Sequence, residues 1–252
     1  MFLHGYDHHR ASVTQITSKL LIGDISSSYS ISILIRYGVT AIVSLGLSPS
    51  LEWSRPGNLK LVPEKNHLFV ICDDSPTEDL LVHLSDICNF IDQQTAEPDL
   101  EQILMQAEEQ SILMGCTSGR GSSSASGALA LAQPGKVLVH CSQGVSRSPT
   151  VVIAYLMRSQ KRGLRAVLAD VKMKRREVDP SENFMEQLRI WEEVKYEIWE
   201  DDAKTIPKKQ YRQFLERRAE RAKMEKERTR LMSPVRHMSP ARHMSPVSIW
   251  ED

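Results

Sequence analysis

The chain has 252 residues, of which 41% are hydrophobic and 25% are charged, and its formal net charge is zero. These proportions are typical of a globular protein with one domain of ordinary size plus appendages, and two full domains would be a tight fit. Neither the net charge nor any long apolar run indicates a nucleic-acid or membrane partner, and the N-terminus has no signal-peptide pattern.

Cysteine usage bears on the compartment and on metal binding. The four cysteines are widely spaced, and none forms a C-x-x-C pair or lies near a histidine at zinc-ligand spacing. They are Cys72, Cys88, Cys116 and Cys141. We therefore expect free thiols in a reducing compartment, the cytoplasm or the nucleus, and no metal and no cofactor.

The first hundred residues alternate between strand and helix patterns. Residues 14–23 favour a pair of short strands, and Ile31, Leu34 and Ile35 recur at helical spacing. Gly38 follows them and is a residue type that commonly ends a helix. The next predicted elements, two buried strands followed by a helix, lie at 40–47, at 67–72 and from Thr77 onward.

Residues 94–134 differ in character from their surroundings. An acidic stretch leads into a segment rich in Gly and Ser, which has the composition of a flexible linker. We interpret it as a surface insertion, with a gene-model artefact as the alternative. A buried strand at 136–140 follows, and helices are predicted at 149–159, 164–174 and 181–200. Strands that alternate with helices indicate an α/β fold with a central, largely parallel sheet flanked by helices.

The tail, residues 201–252, differs from the domain predicted at 13–200. Residues 208–231 favour a charged helix with a broken apolar stripe, marginal in isolation. Its basic residues contrast with residues 66–119, which hold no Lys or Arg, so the two segments either attract each other or form separate solvated surfaces. We expect the Met-Ser-Pro repeat after the helix to be disordered. Three serines precede prolines there and are candidate sites for a proline-directed kinase: Ser233, Ser239 and Ser245.

One segment, KVLVHCSQGVSRSPTVVIAYLM, combines a strand, a six-residue turn and the start of a helix. Backbone N–H groups and the positive end of the helix dipole converge in such a turn and favour an anion. Gly144 gives the turn the freedom to aim its amides inward. Cys141 at its first position is expected to be a thiolate of lowered pKa, and Arg147 at its last position matches the oxygens of a phosphate.

This H-C-x5-R-S pattern is the signature of the cysteine-based protein phosphatases, and the segment resembles their dual-specificity branch. Other segments resemble, in order, those that frame that family's catalytic domain: ITSKLLIGD, YGVTAIVSL, DDSPTEDLLVHL and NFMEQLRIWE. The resemblance covers most of 13–200 apart from 94–134. It implies a protein phosphatase that hydrolyses phosphotyrosine and phosphoserine or phosphothreonine through a phosphocysteine. It also implies an atypical, stand-alone member, because a kinase-docking domain has no room before Thr14.

The resemblance assigns roles to individual residues. Cys141 would carry the phosphoryl group, Arg147 would bind it and Ser148 would help the thiolate leave, while His140 would brace the loop and support the lowered pKa. The rest of the loop would bind the phosphate: Ser142, Gln143, Gly144, Val145 and Ser146.

The family's general acid is an aspartate on the loop after the preceding strand. The DDSPTEDL segment places Asp74 at that position, and the adjacent Asp73 is the rival. A carboxylic acid is needed because a phosphoester oxygen leaves poorly as an anion. Cys72, two residues earlier, is either a packed strand cysteine or a redox partner of Cys141.

Two other enzyme functions share this loop chemistry, and a third alternative comes from a different functional class. Phosphoinositide phosphatases usually carry lysines within the C-x5-R loop, which are missing here. RNA 5′-triphosphatases tend toward Thr-Gly after the arginine, where this chain has Ser148 and Pro149. A phosphate-binding adaptor without turnover is a third alternative, although the chain retains Cys141, Arg147 and a candidate acid.

Overall fold

The computed structural model describes residues 11–97 and 134–232. Several features singled out in the sequence lie outside these residues. They are most of the predicted insertion, Cys116 and the Met-Ser-Pro repeat with Ser233, Ser239 and Ser245.

A sheet of five strands forms the centre of the described part of the chain. The strands are β1 (Val13–Gln15), β2 (Leu20–Gly23), β3 (Ala41–Gly46), β4 (His67–Ile71) and β5 (Val137–His140). Their order across the sheet is β1-β2-β5-β3-β4, and only the β1–β2 pair is antiparallel. The predicted α/β fold with a largely parallel sheet is therefore confirmed.

Eight helices accompany the strands within the described ranges. They are α1 (Ile25–Ser28), α2 (Ile31–Tyr37), α3 (Pro56–Leu61), α4 (Leu81–Thr95), α5 (Arg147–Gln160), α6 (Leu164–Lys174), α7 (Glu182–Glu193) and α8 (Lys209–Met232). Gly38 ends α2 in the left-handed conformation, with φ of 66°, as its position in the sequence indicates. Single turns of 3-10 helix at Leu51–Ser54 and Glu64–Asn66 and the short α3 are too brief for a periodic pattern to predict them.

Two predicted helix limits are wrong. The helix expected from Thr77 begins at Leu81, because residues 73–80 form a loop whose backbone bonds to side chains of α7 and α8. The helix expected to reach residue 200 ends at Glu193, because Lys195 and Tyr196 have positive φ values of 58° and 66°. Both limits depend on tertiary contacts or local turns that helical periodicity does not reveal.

Alternating residues of the strands face two apolar layers, as a pleated sheet requires. The larger core packs α4, α5, α6 and α7 against one face of the sheet, and the smaller one packs α2 and α3 against the other. In β2, for example, Leu20 and Ile22 belong to the larger core and Leu21 to the smaller. The central strand β5 is buried along its whole length, which fixes the position of the loop that follows it.

The packed core extends beyond residue 200. Tyr211 and Phe214 in the first turns of α8 are 2% and 0% exposed and belong to the larger core. The Lys204 ammonium lies 2.7 Å from the carboxylate of Asp86, which joins the basic segment to the acidic one at the surface. Among the described residues, no helix is both long and apolar enough to cross a membrane.

Candidate active site

The loop 141–146 connects the carboxyl end of β5 to the first turn of α5. Gly144 has a φ of 72°, and a Cβ atom built on it would lie 2.7 Å from the carbonyl oxygen of Gly23. Both the backbone conformation and the close approach of β2 therefore require glycine at this position. The result is a tight turn whose N–H groups point toward its centre.

The thiol of Cys141 lies at that centre. Its Sγ accepts hydrogen bonds from the backbone N–H of Gly144 at 3.3 Å and from the hydroxyl of Ser148 at 3.4 Å. Burial by itself would raise the pKa of Cys141, but the hydrogen bonds from Ser148, Gly144 and Gln143 outweigh it, and the net shift lowers the pKa. The loop can therefore hold a thiolate.

Arg147 spans the loop from the first position of α5. One terminal nitrogen donates to the carbonyl oxygen of Cys72 at 3.0 Å and the other to the hydroxyl of Ser142 at 3.0 Å. The Nε atom is buried and has no hydrogen-bond partner among the described residues. A fixed guanidinium with an unused buried donor is suited to bind an oxyanion.

Cys141 and Arg147 line the same cleft, which has a volume of about 370 Å³. Its other walls are mainly apolar and aromatic: Ile25, Leu45, Leu47, Trp53 and Phe69. The remaining polar side chains of the lining are those of Ser48, Asp73, His140 and Ser142. The cleft thus brings a thiol of lowered pKa, a guanidinium and a carboxyl group together.

The two candidate acids lie on the acid loop, residues 73–80, between β4 and α4. Asp73 lines the cleft that contains Cys141, whereas Asp74 lines an adjoining cavity of about 540 Å³ between the acid loop and α7. Both carboxyl groups are exposed, and the backbone N–H of Asp74 donates to Asp73 Oδ1 at 2.8 Å. Asp73, the alternative candidate for the general acid, is therefore the one that lines the cleft with Cys141.

His140 is buried beneath the loop. Its Nε2 lies 2.5 Å from the hydroxyl of Ser44, which is also 2.7 Å from Nε2 of His67, and its Nδ1 lies 3.3 Å from the carbonyl oxygen of Cys141. Burial lowers the pKa of His140 to about 3 and that of His67 to about 4, so both rings are neutral near pH 7. A neutral His140 can brace the loop, but it offers no positive charge to the thiolate.

Trp53 and Arg175 also shape the site, although neither was predicted from the sequence. Trp53 packs edge-on against His140, with ring centroids 5.5 Å apart, and its Nε1 donates to Ser28 Oγ at 2.8 Å. Buried Arg175 donates to the carbonyl oxygens of Gly144 at 3.0 Å and Gln143 at 3.3 Å. Arg175 stands in a basic run beside the exposed Arg176, and no pattern in the sequence distinguishes the two.

Cys72 is a buried free thiol at the end of β4. Burial raises its pKa, with a further contribution from Glu78, so this thiol stays protonated. Its carbonyl oxygen has a clear role because it fixes the guanidinium of Arg147. The geometry therefore favours a packed cysteine. Within the described ranges, no group of three or more His, Cys, Asp or Glu side chains is placed to hold a metal ion.

The chain is similar to known phosphatases. The family model of the dual-specificity phosphatase catalytic domain matches residues 124–194. The chain is 30% identical to the tyrosine-protein phosphatase yvh1 of Schizosaccharomyces pombe over 62% of this chain and 35% of that protein. It is 26% identical to the dual-specificity protein phosphatase MPK-4 of Drosophila melanogaster over 74% of this chain and 38% of that protein. The chain thus spans little more than a third of the length of these two relatives.

Solved structures share the fold. The Yvh1 phosphatase domain from Chaetomium thermophilum is similar with a TM-score of 0.54 and 23% identity, over 73% of this chain and 96% of that one. The human tyrosine phosphatase-like serine/threonine/tyrosine-interacting protein is similar with a TM-score of 0.52 and 24% identity, over 73% of this chain and 98% of that one. The chain therefore has the fold of the dual-specificity phosphatases, and residues 124–194, which include the loop from Cys141 to Arg147, match the model of their catalytic domain.

Proposed function

We propose that this chain is a protein phosphatase that hydrolyses phosphotyrosine and phosphoserine or phosphothreonine through a phosphocysteine intermediate. The observation that carries the proposal is the geometry of one loop. The Cys141 thiol, whose pKa is lowered, lies in the same cleft as the guanidinium of Arg147, whose buried Nε is unpaired within the described structure. A nucleophile and an oxyanion-binding group in one cleft are what transfer of a phosphoryl group to the protein requires.

The first step forms the intermediate. The Cys141 thiolate attacks phosphorus, an S–P bond forms, and the bond between phosphorus and the ester oxygen breaks. Arg147 and the N–H groups of loop 141–146 bind the phosphoryl oxygens. The general acid, Asp74 or its neighbour Asp73, gives its proton to the leaving oxygen, which departs as an alcohol or a phenol.

The second step restores the enzyme. Water attacks the phosphocysteine, the carboxylate formed in the first step accepts a proton from that water, and the S–P bond breaks to release inorganic phosphate. The Ser148 hydroxyl, 3.4 Å from Cys141 Sγ, is placed to donate a hydrogen bond to the thiolate as it leaves. His140 acts as a brace for the loop through Ser44 and the carbonyl of Cys141.

The lining of the cleft supports a phosphoprotein substrate. Arg147 is the only cation that lines it within the described part of the chain, and its neighbours there are chiefly apolar or aromatic. A single cation suits a single phosphate on an apolar or aromatic carrier, whereas polyphosphorylated lipid or RNA ends need more positive charge. The substrate class is accordingly a singly phosphorylated protein side chain.

Three finer assignments are part of this proposal. The catalytic domain spans 13–200, with 94–134 as an insertion and 201–252 as a tail whose helix packs on the domain. The cytoplasm or the nucleus is the proposed location. A proline-directed kinase is proposed to modify Ser233, Ser239 and Ser245, on the Ser-Pro pattern alone.

A substrate panel tests the function. The full chain and its Cys141→Ser variant are incubated with phosphotyrosyl, phosphoseryl and phosphothreonyl peptides, a phosphoinositide and a 5′-triphosphorylated RNA, and released phosphate is measured. We expect release from the phosphopeptides by the wild type only. Turnover restricted to the lipid or to the RNA would contradict the protein substrate. Binding of phosphopeptide without any release would indicate an adaptor.

A further inference from the structure

Four consecutive carbonyl groups of the acid loop are held by side chains from two helices. Asn183 Nδ2 in α7 donates to the carbonyl oxygens of Ser75 at 3.0 Å and Glu78 at 2.9 Å. The two carbonyls between them accept from α8: Arg218 Nε donates to Thr77 at 2.6 Å, and Arg221 donates to Pro76 at 3.3 Å. The loop backbone is thus fixed on both helices.

These contacts reach the aspartates through Glu78. Its carboxylate accepts the backbone N–H of Asp73 at 2.8 Å and that of Asp79 at 3.2 Å. The carbonyl of the same residue is held by Asn183 and by Gln187 Nε2 at 2.9 Å. Because Glu78 joins the held part of the loop to its first residue, displacement of residues 76–78 would also displace the candidate acids.

The position of α8 is fixed independently of these arginines. Phe214 is fully buried, and the Tyr211 hydroxyl donates to Asp79 Oδ2 at 2.9 Å inside the core. Arg217 pairs with Glu186 of α7 at 2.8 Å, and Arg221 only adds a second contact, at 2.6 Å, to the same carboxylate. The helix is therefore docked by its first turns, and Arg218 and Arg221 project from a fixed support toward the acid loop.

We propose that α8 is a positioning element for the general acid, and that Arg218 and Arg221 are its positioning residues. They hold the acid loop at the mouth of the cleft so that its carboxyl group reaches the oxygen that leaves. This inference rests on the proposed phosphatase function and adds a role for a segment that lies outside the matched residues 124–194. Both arginines are partly exposed, so their contribution to global stability is small and their main effect is local.

The test compares two substrates that differ in how much they need the acid. Phenyl phosphate has a poor leaving group that requires protonation, whereas 4-nitrophenyl phosphate has a better one. For the double variant Arg218→Ala, Arg221→Ala and for each single variant, kcat/KM is measured with both substrates. We expect about a tenfold fall for phenyl phosphate and about a twofold fall for 4-nitrophenyl phosphate in the double variant, with smaller falls of the same kind in the singles.

Arg217→Ala is the matched control. Arg217 lies on the same helix and pairs with Glu186, but it makes no hydrogen bond to the acid loop in the described structure. We expect both kcat/KM values of this variant to stay close to those of the wild type. Arg218→Lys, which keeps one donor for the Thr77 carbonyl, should recover most of the activity that Arg218→Ala loses with phenyl phosphate.

Two further measurements separate positioning from unfolding. The pH dependence of Cys141 alkylation by iodoacetate and the Tm of each variant should both match the wild type. Equal losses with the two substrates, or a double variant as active as Arg217→Ala, would overturn the role of α8 while leaving the phosphatase function intact. A wild type that releases phosphate from neither substrate would instead contradict the proposed function itself.

Discussion

Cys141 and Ser148 lie seven residues apart, at the start of the loop and in the first turn of α5, and their side chains meet at 3.4 Å. The hydroxyl that lowers the pKa of the thiol is thus also the group that we propose to assist thiolate departure. The family resemblance of the loop motif implies this role for Ser148, and the structure brings the two side chains together. A short motif is enough to identify these residues, because Cys141, Arg147 and Ser148 all lie within eight consecutive positions.

The general acid is harder to identify from the sequence than the nucleophile is. Adjacent residues in a loop point in different directions, and the backbone between residues 73 and 80 is set by Asn183 and by residues of α8, which are more than a hundred positions away. Asp73 lines the cleft, whereas the family resemblance places the acid at Asp74. The sequence therefore identifies Asp73 and Asp74 as the two candidates but does not indicate which of them is the general acid.

We predict that Asp74→Asn lowers kcat/KM for phenyl phosphate by about 100-fold and that Asp73→Asn has a smaller effect. Asp73 already accepts the backbone N–H of its neighbour and so maintains the turn, and a catalytic carboxyl contact tightens only when substrate is bound. Steady-state kinetics on the two matched variants decide between them. A larger loss in Asp73→Asn would transfer the acid role to the residue that lines the cleft.

Three neighbouring strands of the sheet are joined by hydrogen bonds between polar side chains, which we call the polar bridge. Ser44 on β3 contacts His67 on β4 and His140 on β5, directly below the loop. The strands themselves were predictable from their apolar runs and β-branched residues. The bridge could not be predicted, because Ser44 lies 23 residues from His67 and 96 residues from His140. Only the order of the strands in the sheet brings the three side chains together.

This bridge predicts acid sensitivity. The two histidines have folded pKa values of about 4 and about 3, whereas in the unfolded chain they titrate near the ordinary value of about 6.5. Between these values the unfolded chain binds more protons, so the free energy of unfolding falls as the pH drops below about 6.5. We expect each histidine to cost about 2 kcal/mol at about pH 5.

Urea unfolding at about pH 7.5 and about pH 5 measures this effect. The wild type should lose stability between the two conditions, and His67→Asn, which removes one of the two groups, should lose about half as much. An unfolding free energy of the wild type that is the same at both pH values would contradict the buried neutral state of the bridge.

At the scale of the whole molecule, the larger part of the architecture follows from the order of strand and helix patterns. The largely parallel sheet and the position of loop 141–146 at the carboxyl end of a buried strand agree with the expectations from the sequence. The docking of α8 does not follow from its own sequence, because Tyr211 and Phe214 are the only buried residues among those of the helix whose burial is described, and more than half of its residues are charged. Its partners, Asp79 and Glu186, are recognisable only in the folded chain.

The proposed mechanism requires a covalent bond between phosphorus and the sulfur of Cys141. Trapping that bond is the most direct test, and Ser148→Ala is the suitable variant, since loss of the hydroxyl should slow hydrolysis of the intermediate. After rapid quenching with a phosphotyrosyl peptide, mass spectrometry should find one phosphoryl group on the peptide that contains Cys141. A phosphoryl group on another residue, or undiminished turnover by Cys141→Ser, would contradict the mechanism.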